Sequence, residues 1–181
     1  MDDLSERLFA HYVGGRWRVP LSTQQMPVTG QDGRQIGQIV IAGARDFARA
    51  QAMMRGADGQ ARDRLALALK NICPVMAEAV ALARPAEIPV LLAAEPDDPA
   101  AFGAVLGASL GAGGLWCPRP EVAPLATLIA VAVDAAEVPP GAFALLNAFT
   151  VQTSPLLRAT GLATLGAARG GTPLGAAYMQ L

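Results

Sequence analysis

Histidine and lysine each occur once in these 181 residues, and cysteine occurs twice. A single histidine, His11, excludes any site that needs a histidine pair, and no metal site is implied. Cys73 and Cys117 are too few and too far apart in sequence for a disulfide framework or a structural zinc site. Both read as small buried apolar residues. A thiolate nucleophile needs an activating base or an electropositive site, and neither cysteine is expected to be catalytic. His11, next to Tyr12 at the start of a strand, is expected at a surface or interface.

Net charge is scarce as well. Fourteen basic and fifteen acidic residues leave a formal charge of −1, which provides no general attraction for nucleic acid or anionic lipid. The basic residues are scattered arginines apart from Lys70. The opening MDDLSERLF is acidic and lacks the basic and apolar regions of a signal peptide. The longest apolar stretch, around Ala100 to Trp116, is rich in Gly, Ala and Ser. The expectation is a cytoplasmic chain with no nucleic-acid or membrane partner. A hydrophobic content of 52% against 16% charged residues suffices for one domain over residues 1–181 with a real core.

The stretch Ile88 to Glu121 organises that core. Ile88, Val90, Leu91 and Leu92 form an apolar run of buried-strand length, and Glu95 to Pro99 interrupts it with charge and two prolines. A helix follows over Ala100 to Leu110, with Phe102, Val105, Leu106 and Leu110 apolar. Gly103, Gly107 and Ala108 should let it lie close to a sheet. Gly111, Gly113 and Gly114 stop it, and Leu115 to Cys117 begins a second strand. Asp97 and Asp98 form an acidic pair that reads as a solvated turn capping the helix rather than as acid–base machinery.

Around this centre, Asp3 to Ala10 has the spacing of a short helix. Tyr12, Val13, Trp17 and Val19 flank Gly14-Gly15, a pair suited to closing a β-hairpin. Ala44 to Gly56 is a helix with Phe47, Ala50, Met53 and Met54 on one face. A second helical pattern over Ala61 to Ala83 should be kinked or split by Pro74. Pro124 opens a helix through Ala136, Pro139-Pro140-Gly141 ends it, and Ala142 to Leu146 is a strand. Thr153 to Ala159 reads as a short helix, Leu162 to Leu165 as a strand and Gly170 to Met179 as a last helix. The divisions are 1–43 for helix and β arm, 44–84 for helices and 88–181 for an α/β, Rossmann-like core with a parallel sheet.

In this order the chain resembles the aldehyde dehydrogenases. The family opens with an apolar-x-Gly-Gly-x-Trp segment, matched here by YVGGRW, and continues with a proline-bearing strand and an Asn-Pro-x-x-Gly stretch, where this chain has MPVTGQDGRQIG from Met26. Its cofactor domain has an asparagine-apolar-proline turn, a helix ending in Ala-Leu-Ala-Ala-Gly-Asn, a Lys-Pro-x-Glu strand end and a Pro-Pro-Gly strand start. Here the corresponding text is PDDP (96–99), SLGAGG (109–114), CPRPE (117–121) and PPGAF (139–143). Asp97 stands about where the family's oxyanion-stabilising asparagine would be, and Pro118 stands where its ribose-holding lysine would be. Glu121 survives from that motif.

The resemblance covers only the part of the family before its catalytic domain, so the nucleophilic cysteine and general-base glutamate have no counterpart here. It implies a non-catalytic, truncated aldehyde dehydrogenase-like chain acting as a structural, oligomerisation or regulatory subunit. Such a chain would self-associate or join an aldehyde dehydrogenase-like partner, with Tyr12, Val13, Trp17 and Val19 or a sheet edge as the interface. Two alternatives stay open. Arg119 and Glu121 could hold NAD or another nucleotide in a residual binding module, although the first turn has no glycine and carries Glu95, Asp97 and Asp98 where a phosphate would approach. Alternatively, the chain is part of an active aldehyde oxidoreductase. Arg169 with Gly170-Gly171 reads as a turn with a solvated charge.

Overall fold

The computed structural model describes residues 3–30, 33–92, 96–148 and 154–166. The chain begins with helix α1 (Asp3–Phe9) and a hairpin of β1 (His11–Tyr12) and β2 (Trp17–Arg18). Gly14 and Gly15 both have positive φ, 62° and 71°, the conformation that a two-residue hairpin turn demands and glycine supplies at least cost. A second hairpin joins β3 (Gln25–Thr29) to β4 (Gln35–Val40) as a separate two-stranded sheet. Helices α2 (Ala44–Met53), α3 (Gly59–Leu69) and α4 (Pro74–Leu82) follow. Pro74 splits the long helical pattern as expected, taking the first position of α4 where its missing N–H costs nothing. Cys73 lies outside that helix, as its N-cap residue.

The remaining elements are β5 (Val90–Leu92), α5 (Pro99–Ser109), β6 (Gly114–Trp116), α6 (Ala123–Ala135), β7 (Phe143–Leu145), α7 (Ser154–Ala159) and β8 (Ala163–Leu165). The main sheet has the order β2-β1-β7-β6-β5-β8. Its last four strands are parallel, while β1 runs antiparallel to β2 and to β7, with Tyr12 opposite Leu145. The first hairpin thus extends the main sheet. The helix expected at Gly170–Met179, and Arg169, lie outside the described residues.

Alternation along each strand sorts side chains to two faces. Val90, Leu92, Trp116, Phe143 and Leu145 point to the side covered by α5 and α6, with α3 and α4 packed beyond them. Leu91, Leu115, Ala144 and Leu146 point to the opposite side, covered by α2 and α7. Trp116 and Phe102, buried with ring centroids 4.6 Å apart, anchor the first side, and truncating either to alanine should cost about 3–5 kcal/mol. A third cluster, Leu8, Val28, Ile39, Ile41 and Ala123, seats the β3–β4 hairpin on α1 and the start of α6.

Gly103 and Gly107 of α5 face a different neighbour from the one expected, and Gly111, just past the helix end, faces the same way. A Cβ on Gly103 would come within 2.5 Å of the Met76 carbonyl oxygen, one on Gly107 within 2.6 Å of that of Val80, and one on Gly111 within 2.6 Å of that of Ala86. The four-residue spacing puts all three on one side, and that side faces α4 and the segment after it, not the sheet.

Candidate functional site

In an open parallel sheet a ligand binds outside the carboxyl ends of the strands, where the strand order reverses. Here β5 is the first strand of the parallel set, and β6 and β8 flank it. The ends that matter are therefore the turn after β5, the Cys117–Val122 segment after β6 and the end of β8.

After β5, Pro96 is buried and Asp97 exposed. Asp98 is the N-cap of α5, its carboxylate accepting from the Ala101 N–H at 3.2 Å, with Pro99 at the helix start. This is the capping role read from the sequence, and it has a chemical consequence. The helix end that a phosphate would use already holds a carboxylate, and its first position carries no N–H.

After β6, Arg119 and Glu121 are both exposed and flank Pro120 in a short 3₁₀ turn over Pro120–Val122. Glu121 borders an open cavity of about 400 Å³, together with Thr29 and Gly30 from the second hairpin, Pro96 from the turn after β5, and Pro124 and Leu125 at the start of α6. Arg119 is not among the residues lining it. Glu121 thus shares a cavity with Pro96 of the turn after β5, and the cavity wall around it is mainly apolar.

Cys117 directly follows β6 with its thiol buried, and burial pushes that thiol well above its ordinary pKa. Such a group stays protonated and is a poor nucleophile. Cys73 is half-buried. Among the described residues, no group of three histidine, cysteine or acidic side chains could hold a metal ion, and no helix is long and apolar enough to cross a membrane.

His11 is not at the surface. It is fully buried, its Nδ1 accepting from the Asn147 N–H at 3.4 Å and its Nε2 3.9 Å from the Asp46 carboxylate. Desolvation lowers its pKa to about 4, partly offset by Asp46 and reinforced by Arg49. Asp46 is buried too, and accepts from the Leu21 and Gly43 N–H groups at 2.9 and 3.1 Å and from Arg49 Nη2 at 3.0 Å. Sequence reading missed this cluster. The available signal was an acidic residue three positions after Gly43 at a helix start, the spacing of a capping box.

Of the expected interface residues, Tyr12 and Val13 are spent on the chain's own core, on opposite faces of the sheet. The Tyr12 hydroxyl donates to the Asp134 carboxylate at 3.2 Å, and its ring meets Trp17 edge-on at 5.3 Å. Trp17 is half-buried under the Arg7 guanidinium, 5.6 Å from the ring centroid. Val19 is 76% exposed. The outward part of the hairpin is thus Val19 and the free side of β2, an edge strand of the main sheet.

No protein-family model and no curated protein sequence matches the chain. Solved structures do. Aldehyde dehydrogenase C from Pseudomonas syringae, in complex with NAD+ and octanal, superposes with a TM-score of 0.68 at 16% identity, covering 90% of this chain and 50% of that one. An aldehyde dehydrogenase from Bartonella henselae gives 0.60 at 13% identity, covering 86% and 51%. The Delta-pyrroline-5-carboxylate dehydrogenase of Mycobacterium tuberculosis, bound to NAD and cobalamin, gives 0.56 at 15% identity, covering 84% and 41%. The fold is that of an aldehyde dehydrogenase, with its mostly parallel Rossmann-like sheet. The chain spans about half or less of the length of each of these structures.

Proposed function

We propose that this chain is a catalytically silent aldehyde dehydrogenase-like subunit that acts by association, structurally or as a regulator, in the cytoplasm. The observation that carries the reading is the turn after β5. Asp98 caps the helix that would receive a cofactor phosphate, and Asp97 adds a second negative charge beside it. The buried, protonated Cys117 thiol supports the same conclusion. Val19, exposed next to an edge strand, leaves a place for another chain to pair. The partner is a second copy or a full-length aldehyde dehydrogenase-like chain.

The test is the mass of the purified protein by light scattering, alone and mixed with an aldehyde dehydrogenase from the same cell, alongside an assay for aldehyde-dependent NADH formation. A mixed species or a self-associated one, with no NADH formed, is expected. A monomer that ignores the enzyme, or steady aldehyde-dependent NADH formation whether or not it survives Cys117→Ala, would end this reading.

A second reading has one specific observation in its favour, the position of Glu121 on a cavity between the turn after β5 and the start of α6. A carboxylate there can accept from a ribose hydroxyl, and the chain would then be a residual NAD-binding module. Millimolar NAD would raise the Tm of such a module, and Glu121→Ala would abolish the rise. The first reading expects no shift in either protein.

A further inference from the structure

Helices α3 and α4 are antiparallel neighbours, with the Arg62 guanidinium near the start of one donating to the Ala83 carbonyl just past the end of the other at 2.7 Å. Their inner sides meet the core through Leu65, Leu69, Met76 and Val80. Their outer side forms a groove of about 500 Å³, bordered by Asp63, Ala66, Leu67 and Lys70 from α3 and by Ala77 and Glu78 among the residues of α4. Ala66 and Ala77 are nearly buried and form a floor with little side chain. Leu67 stands over it at 70% exposure, and Pro74 and Ala81 complete the lining on α4. An apolar side of this extent on two adjacent helices, beside the chain's single lysine, is a docking surface in need of an occupant.

The charges specify one. Asp63 and Lys70 lie two turns apart on the same side of α3, about 10 Å along the axis, with Ala66 and Leu67 between them. Among the described residues neither makes an ion pair within the chain. If a second α3 is laid antiparallel on the first, the register that places Asp63 against Lys70 also places Lys70 against Asp63 and Leu67 against Ala66. The arrangement is its own complement, as a two-fold interface must be. Each Leu67 then covers the alanine floor of the other copy, and both charged pairs sit at the rim.

We propose that the α3–α4 groove is a self-association surface that takes the same groove of a second copy about a two-fold axis, with the two α3 helices antiparallel. The inference rests on the association reading above and names the surface and the partner. Two short helices per copy make a small interface, of the size found in weak and transient complexes, and a dissociation constant on the order of micromolar is expected.

The experiment is sedimentation velocity on the full chain and its Lys70→Glu, Asp63→Lys and Leu67→Glu variants across the micromolar range, with thermal unfolding to show that each variant folds. Wild type should dimerise, and each variant should dimerise about tenfold more weakly or worse. An equimolar mixture of the Lys70→Glu and Asp63→Lys proteins should regain the dimer, because both contacts between positions 63 and 70 across the axis are then between opposite charges. A wild-type dimer indifferent to all three substitutions overturns the groove. Failure of the mixture to recover overturns the antiparallel register that pairs Asp63 with Lys70. A dimer lost only on substituting Trp17 or Val19 overturns the groove while leaving the association reading intact. A wild-type chain that stays monomeric, alone and with the aldehyde dehydrogenase, overturns both.

Discussion

His11 Nε2 lies 3.9 Å from Asp46 Oδ2 with both side chains fully out of solvent, too far for a hydrogen bond and close enough for the carboxylate's field to be felt. His11 belongs to β1 and Asp46 to α2, and through Asn147 the same cluster reaches the end of β7. Asp46 spends both oxygens on Leu21, Gly43 and Arg49. Its charge therefore ties the connection after the first hairpin to the start of α2.

The first prediction concerns pH. Burial holds the folded pKa of His11 at about 4 against an ordinary 6.5, so the unfolded chain takes up a proton before the folded one does. The stability that depends on neutral His11 is whole above pH 6.5 and drains away as the pH falls towards 4, amounting to about 3 kcal/mol at most. Urea unfolding at several pH values across that window should show the decline, and His11→Gln should flatten it. An unchanged slope in the variant would mean that other groups carry the acid sensitivity.

A glycine replaced by alanine inside a helix ordinarily gains about 1 kcal/mol. In Gly107→Ala the new methyl would lie 2.6 Å from the Val80 carbonyl oxygen and 2.7 Å from the Ala83 Cβ, so α5 and α4 must separate. The expected net effect is a loss of about 1–3 kcal/mol, read as a lower Tm. A raised Tm would show that the two helices are not in backbone contact.

Cysteine labelling should be asymmetric. In the native protein a thiol reagent should modify half-buried Cys73 and leave buried Cys117 untouched until denaturant is added. Peptide mass spectrometry reads this directly. Equal native labelling of Cys117 would contradict its burial and would reopen the case for a reactive thiol at the end of β6.

Tyr12→Phe keeps the aromatic packing against Trp17 and Phe143 and removes the hydroxyl donated to Asp134. The loss should be about 0.5–1.5 kcal/mol, and Asp134→Ala in the Tyr12→Phe background should add little more. Additive losses would mean that the hydroxyl and the carboxylate act separately.

Much of the architecture was readable before any tertiary information. The Gly14-Gly15 hairpin, the break at Pro74, the strand at Val90, the cap at Asp98 and the helix begun near Pro124 all follow from signals within a few residues. At the candidate site the same local signals identified the acidic turn, and the family resemblance pointed to Glu121. They could not show that Glu121 borders a cavity and Arg119 does not, because its walls come from segments about ninety residues apart in sequence, such as Thr29 and Glu121. The burial of His11 was misread for a similar reason. Its environment is built by Asp46 and Asn147, neither of them a sequence neighbour.

Element type and punctuation were settled locally, since propensity, capping and the φ limits of glycine and proline act over one or two turns of chain. The tertiary structure decided which surfaces meet. It set the first hairpin beside β7, brought β8 to the far side of β5, turned the glycines of α5 towards α4 and left the outer side of α3 and α4 without a partner in the described chain. Those choices depend on total burial summed over distant segments, a quantity that no short window of sequence contains.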